Sequence, residues 1–554
     1  MEELIRRIYP DHSDEVLGGI SALKEKYYGK FNTSSSNGLT EKDRILITYG
    51  DGIKEKGRPP LAVLKEFADR DLNKCISAVH LLPCFPYSSD DGFSVIDYYN
   101  IDPELGNWED IDQLGEQFDL MFDAVVNHIS KKSEWFQQFL AGKPEYSGYF
   151  IESDPEADYS MVVRPRALPL HHPFTKKGEE VYIWTTFSED QIDLNYANYK
   201  VFLHILDVLL FYVSKGSRFI RLDAIAFLWK EPGTSCIHLE QTHLVIQAYR
   251  RVLEELAPHA VIITETNVPH NENVSYFGNG KNEAHMVYNF TLPPLLAYSI
   301  HQQDVKILTN WARSLKLPGD KVCFFNFTAS HDGVGVRPLQ GIISQDEIAE
   351  LGEIVLRHGG FVSYKANEDG SQSPYELNCN YMDLITDPHW SEDLRVRRFL
   401  LTQSVMLTMP GVPGIYYHSL LGSENDREAA IESGINRRIN RKKLELSELR
   451  DSLSRKGSLR NRIFERYSQM LEVRGNEAVF NPFGTAEYSC EDEVFIIRRE
   501  RGESVVFAIH NFSDKEVGIS SLNGSYKDIL SGKSWDSDQK IIPAFGFVWL
   551  KKLL

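Results

Sequence analysis

Apolar positions in this chain follow two rhythms. Residues 76 to 83, ISAVHLLP, make a short continuous apolar run closed by a proline. Residues 118 to 130, FDLMFDAVVNHIS, repeat the pattern with Asp, Asn and His gathered at the far end. Runs of this length bounded by turn residues predict buried strands. Residues 199 to 214, YKVFLHILDVLLFYVS, place apolar side chains on one broad helical face, with Lys215 and Gly216 as the stop. SRFIRLDAIAF then reads as a strand, THLVIQAYRRVLEELA as a helix, VIITETN as a strand, and KVCFFNFTASHDG as a further strand with a polar end. RFLLTQSVMLTMPGVPGIYYHSLLG returns to a helix and a buried strand. Such alternation is βα-unit behaviour and predicts a parallel sheet.

Two stretches interrupt the alternation. Residues 131 to 195, rich in Pro, Gly and aromatics, carry no long helical period, and residues 334 to 395 read as irregular around EDGSQSPYELN. Loops of that length need structure of their own. After about residue 475, EVFIIRRE and ESVVFAIHNFS are short runs separated by polar turns, which predicts a small antiparallel domain. The expected division is therefore an α/β domain begun by residues 1 to 130 with an N-terminal extension, an inserted domain at 131 to 195, the rest of the α/β domain at 196 to 474, and a C-terminal β domain at 475 to 554.

The chain has 554 residues, of which 42% are hydrophobic and 25% charged, enough to bury a large core and unlike a disordered or fibrous protein. A formal net charge of -19 opposes non-specific binding to nucleic acid or anionic membrane, while leaving room for a locally basic pocket. The N-terminal MEELIRRIYPDHSDEV lacks the apolar core of a signal peptide, and no apolar stretch is long enough to span a bilayer. Six cysteines lie far apart without a C-x-x-C pair. A cytoplasmic protein with reduced thiols is the expectation. Its oligomeric state, monomer or homodimer, is left open by the sequence.

The chemistry collects at strand ends: Asp123, Asn127 and His128; Arg221 and Asp223; Glu265; His331 and Asp332. Catalytic groups contributed by the ends of several strands suit a (β/α)8 TIM barrel. An open doubly wound sheet would also bind ligands there, but no GxGxxG or P-loop accompanies it. Arg221 and Asp223, two apart on a strand, point the same way. One carboxylate kept ionised and another kept protonated can divide the cleavage of a glycosidic bond. Metal binding by His128, Asp123, Asp223, His331 and Asp332 is the rival reading, unsupported by any H-x-x-x-H or H-E-x-x-H spacing; no metal or cofactor is expected.

DAVVNH at 123 to 128, RLDA at 221 to 224, TET around Glu265 and SHD at 330 to 332 resemble the four ordered signature regions of the α-amylase superfamily of retaining glycoside hydrolases and transglycosylases. The resemblance implies Asp223 as nucleophile, Glu265 as general acid/base and Asp332 as transition-state stabiliser, with Arg221, His128 and His331 around the sugar. It also implies that the insertion is a B-type domain. HLLPCFPYSSDDGFSVIDY, QIDLNY, KEPGTSC, GVPGIYYHSLLGSEND and RRINRKK are similar to the sucrose phosphorylase subfamily. That implies Asp90 and Arg441 sealing a pocket for one terminal glucose, Phe93 as its apolar platform, and inorganic phosphate as a co-substrate replacing water. Arg164 and Arg166 of VRPRALP are candidate phosphate contacts, since a guanidinium forks onto oxyanions.

Two positions depart from the sucrose phosphorylase pattern: Phe227 stands for a Tyr, and Tyr375 is followed by Glu376 in place of Gln. The flanking text, with FLWKEPGTSCIHLEQTH and SPYELNCNYMD, resembles the glucosylglycerate phosphorylase branch, which implies 2-O-(α-D-glucopyranosyl)-D-glycerate as donor. Lys230, Thr234, Ser235 and His238, in the loop after the nucleophile strand, are candidate contacts for the anionic glycerate. Glu376 beside two anions must be protonated, turned away or paired. Sucrose, sucrose 6'-phosphate or glucosylglycerol as donor, plain α-glucosidase activity, and a non-catalytic carbohydrate-binding protein are the alternatives.

Overall fold

The computed structural model describes residues 1–31, 38–165, 168–366, 372–519, 522, 524–535 and 541–553. Eight parallel strands close into a barrel: β1 (Ile45–Thr48), β2 (Ala78–Leu81), β3 (Asp119–Val125), β4 (Ser217–Asp223), β5 (Val261–Thr264), β6 (Met286–Tyr288), β7 (Cys323–Phe327) and β8 (Val412–Tyr416). Neighbours around the barrel follow chain order, and β8 closes on β1 through Ile45 opposite Gly414. Every residue of β4 is buried, as a strand covered on both faces must be.

Helices α1 (Pro60–Phe67), α2 (Trp108–Gly115), α3 (Tyr199–Ser214) and α4 (Glu240–Leu256) follow the first four strands. α3 ends where Lys215 and Gly216 predict, with Gly216 at φ 90°. Its start is fixed by Asn198, whose side chain accepts the Lys200 N–H. Two N-terminal helices, Glu2–Ile8 and Ser13–Tyr27, pack against this part of the barrel wall, with the Tyr9 hydroxyl donating to the carbonyl of Tyr196 at 2.8 Å.

Between β3 and α3 the chain forms the helix Glu134–Leu140 and an antiparallel hairpin of His171–Lys176 with Glu179–Trp184. Asp190, near the end of this excursion, accepts the hydroxyls of Ser88 and Ser89 at 2.5 Å each and so ties the loop after β2 to it. The stretch after β7 is not irregular, contrary to the reading of residues 334 to 395. It holds the helix Gln345–Arg357, opened by a capping box of Ser344 and Glu347, and the hairpin Phe361–Ala366 with Gln372–Asn378. The C-terminal segment forms a six-stranded antiparallel sheet. It is joined to the barrel by Trp549, whose indole N–H donates to the Ser404 hydroxyl at 2.8 Å. Among the described residues no helix is long and apolar enough to cross a membrane.

Candidate active site

The C-terminal ends of the barrel strands converge on one cavity. Asp90, Asp223, Glu265 and Asp332 supply its acids, Arg337 and Arg437 its guanidiniums, and Phe93, Phe187 and Phe227 apolar wall. Alternation along β4 sends Arg221 and Asp223 to the same side, and a guanidinium–carboxylate bond of 2.7 Å joins them. Arg221 also donates to Asp123, which in turn lies 2.7 Å from Nε2 of His80. Its terminal nitrogen stands 3.8 Å from Glu265, so one buried cation organises three carboxylates.

The backbone then turns abruptly. Ala224 takes a left-handed conformation at φ 49°, a costly one for a residue with a Cβ, and its N–H donates to Glu265 Oε2 at 3.0 Å. The turn that ends the Asp223 strand therefore aims Glu265 as well.

Burial raises the carboxyl of Asp223; Arg221 pulls it back down, and the negative charges of Glu265 and Asp123 push it up again. Glu265 is raised by the same burial and by Asp332, against the pull of Arg221. Each ionised carboxylate resists ionisation of the other, so the pair holds one proton near neutrality. Arg221 bonds Asp223 directly and stands farther from Glu265, which favours the charged form more at Asp223 than at Glu265. Asp332 behaves oppositely: burial would raise it, but Arg437, His331 and Arg441 together hold its carboxyl well below the usual range.

A stability consequence follows from these signs. A carboxyl raised in the fold stabilises below its unfolded pKa, and that stability is lost as pH rises through the folded value. Wild type should therefore lose stability relative to Glu265→Gln as pH rises above the ordinary carboxylate range. Scanning calorimetry of both proteins should show the Gln variant melting higher at pH 8, with the gap closing at pH 5. An equal gap at both pH values would count against the shared proton.

His128 is buried beside the pocket and neutral, its pKa lowered to about 4 by burial. Nε2–H donates to the Phe93 carbonyl at 2.9 Å, while Nδ1 faces the Asn127 amide at 3.2 Å. Phe93 stacks face to face on His331, ring centres 4.5 Å apart, giving the cavity a flat apolar floor. Phe227 meets Phe187 edge on.

Asp90, Asp91 and Gly92 adopt three successive positive φ values, 53°, 48° and 111°. The turn separates two adjacent carboxylates: Asp90 lines the catalytic cavity, and Asp91 lines a second cavity behind it. A Cβ on Gly92 would lie 2.8 Å from the Pro83 carbonyl oxygen, so glycine is required there.

Arg441 stands in this wall and lines the second cavity, not the catalytic one. It bonds Asp91 at 2.7 Å and the His331 carbonyl at 2.8 Å, and lies 4.0 Å from Asp90. The expected pair of Asp90 and Arg441 is in ion-pair range, and Arg441 makes its shorter contact with the neighbouring Asp91. Of the two guanidiniums in the cavity lining, Arg437 is absent from the sequence-based set although RRINRKK contains it. His80, Gln191 and Arg337 were missed as well; a histidine inside the apolar run ISAVHLLP was the clue to the first.

The candidate glycerate contacts in the loop after β4 are engaged elsewhere. Lys230 is buried, its ammonium 2.7 Å from Asp193 and 2.7 Å from Asn127 Oδ1, so its charge is spent inside the protein. Thr234 and Ser235 donate to the carbonyls of Glu231 and Ile237, and His238 faces Tyr276 and Glu272. None of the four lines the catalytic cavity. Arg164 and Tyr375 border an outer vestibule that Asp90, Glu376 and Arg437 share, and Tyr375 reaches the inner cavity too. Arg166 lies outside the described residues. Glu376 is paired: Arg437 contacts it at 2.9 Å and the Gly333 N–H donates to it at 2.9 Å.

Fold and site together define a carbohydrate-active barrel enzyme of the α-amylase type. The family model described as "Alpha amylase, catalytic domain" matches residues 73–333. The chain is 48% identical over 507 residues to glucosylglycerate phosphorylase of Spirochaeta thermophila, covering 90% of this chain and 86% of that one. It is 44% identical over 516 residues to glucosylglycerate phosphorylase of Escherichia coli, covering 92% of each. The crystal structure of sucrose 6F-phosphate phosphorylase from Thermoanaerobacter thermosaccharolyticum superposes with a TM-score of 0.75 at 25% identity, over 87% of this chain and 95% of that one. The chain belongs to the sucrose-phosphorylase-like glycoside phosphorylases of the α-amylase superfamily, in the glucosylglycerate phosphorylase group.

Proposed function

We propose that this protein cleaves 2-O-(α-D-glucopyranosyl)-D-glycerate with inorganic phosphate, giving α-D-glucose 1-phosphate and D-glycerate. Near-full-length similarity to glucosylglycerate phosphorylases, over a cavity that holds Asp223, Glu265 and Asp332, carries the reading.

An Asp223 oxygen bonds the anomeric carbon as the glycosidic C–O bond breaks, and Glu265 gives its proton to the departing glycerate oxygen. A phosphate oxygen then bonds the same carbon, the electron pair of the ester bond returns to Asp223, and a proton from the incoming phosphate restores Glu265. Two inversions retain the α configuration. Asp332, held ionised, stabilises positive charge at the ring; Asp90, His128 and His331 surround the sugar, and Phe93 and Phe227 supply apolar contact. Arg441 supports this shell through His331. Residues 131 to 195 serve as a B-type domain, whose Arg164 borders the phosphate route, while residues 475 to 554 form the closing β domain. The work is done in the cytoplasm, where phosphate is plentiful and the six thiols stay reduced.

Release of glucose 1-phosphate should be measured with glucosylglycerate, sucrose, sucrose 6'-phosphate and glucosylglycerol side by side, recording free glucose. Phosphate-dependent turnover of glucosylglycerate should exceed the others by at least about tenfold, the range a lost charged contact produces. Faster turnover of another donor would reassign the acceptor, and glucose release independent of phosphate would refute phosphorolysis.

A further inference from the structure

Both co-substrates of the proposed reaction are anions, and the cavity they must enter carries four carboxylates in a chain of net charge -19. Lys230 is neutralised by Asp193, and Arg164 reaches only the vestibule. Arg437 alone among the described cationic residues lines both the vestibule and the inner cavity. Its guanidinium is held from two sides. Nη1 lies 2.5 Å from Asp332, while Nη2 and Nε lie 2.9 Å and 3.3 Å from the two oxygens of Glu376. These contacts, among the described residues, use three of its five N–H donors; one each on Nη1 and Nη2 remains, a pair suited to an oxyanion.

Glu376 is itself anchored by the Gly333 N–H, next to Asp332 in the chain. The guanidinium thus sits between a fixed structural carboxylate and a catalytic one. When a sugar engages Asp332 through its hydroxyls, the Arg437–Asp332 contact is the one free to give way.

We propose that Arg437 is the binding residue for the anionic co-substrate, receiving phosphate in one direction and the glycerate carboxylate in the other. Glu376 positions it and limits its hold on either anion. This rests on the phosphorylase reading above. It also gives a physical use to Glu376, a carboxylate otherwise out of place beside two anions.

The test uses α-D-glucosyl fluoride, whose leaving group departs without protonation, so that the glucosyl-enzyme forms in every variant. The ratio of glucose 1-phosphate to glucose at fixed phosphate, and of glucosylglycerate to glucose at fixed D-glycerate, reads how the same intermediate chooses between anion and water. Damage to Asp332 slows both branches and cancels. Arg437→Met should lower both ratios about 10- to 100-fold, Arg437→Lys should recover part of the loss, and Glu376→Gln should raise both ratios severalfold at sub-saturating anion. Should Arg437→Met not fold, the Lys and Gln variants carry the test. Unchanged ratios with a slower overall rate would overturn the proposal and leave Arg437 a positioning residue for Asp332. A fall in one ratio alone would overturn the shared site. Wild-type protein that yields only glucose would instead refute the phosphorylase reading, and the proposal with it.

Discussion

Asp223→Asn is expected to lose phosphorolysis by about 10⁴-fold or more, because in the proposed mechanism Asp223 forms the bond to the anomeric carbon. The amide is nearly isosteric and retains its place at the end of β4, so the loss reports chemistry and not collapse. Arg221 keeps Asp123 as a partner in the variant, which preserves the shape of the site. Azide supplies the discriminating measurement. In Asp223→Ala, which clears the space the carboxylate fills, a small anion attacking α-glucosyl fluoride from the vacated face gives β-glucosyl azide, a single inversion. Recovery of the α product, or a loss below about tenfold, would mean that another carboxylate attacks.

The second large effect belongs to Glu265. Replacement by Gln removes the proton donor but not the nucleophile, so activity on glucosylglycerate should fall by about 10² to 10⁴, the usual worth of general acid catalysis. Glucosyl fluoride should be affected far less in the first step. The wild-type pH profile should fall on the alkaline side as the proton shared with Asp223 is lost, since the carboxyl pair is raised by burial. In the Gln variant acting on the fluoride that alkaline limb should vanish. A limb that persists would assign the titration to another group.

How much of this was legible in the sequence differs from element to element. The helix Tyr199–Ser214 and the strand Ser217–Asp223 were readable because their apolar period is long or continuous and their ends carry stop signals. The strand ends bearing Asp223, Glu265 and Asp332 could be ordered because a barrel presents those ends on one face. The helix Gln345–Arg357 was overlooked despite its Ser344 and Glu347 capping pair, the neighbouring polar text having outweighed a clear helical stripe of Ile348, Leu351, Ile354 and Val355. Arg437 was invisible for a different reason. Its partners Asp332 and Glu376 come from earlier segments, and nothing local to RRINRKK says which of its arginines turns inward. Lys230 misled because a lysine in a Pro/Gly loop reads as exposed, whereas the structure buries it on Asp193. Backbone handedness at Asp90 and Asp91 likewise cannot be read from residue types alone, as only Gly92 advertises it.

That handedness has a bearing on substrate length. Asp90 and Asp91 face different cavities from adjacent positions, so the backbone of this turn forms part of the partition between them, with Arg441 bonded to Asp91 and Gly92 close against Pro83. On the proposed function, restriction to one terminal sugar unit would then be a property of main-chain shape. Trimming either aspartate would remove a hydrogen-bonding group but leave the partition standing. A descendant able to process longer saccharides would have to rebuild the loop itself, which makes chain-length preference a slow trait to change in this lineage and acceptor choice, set by side chains such as Arg437 and Glu376, a fast one.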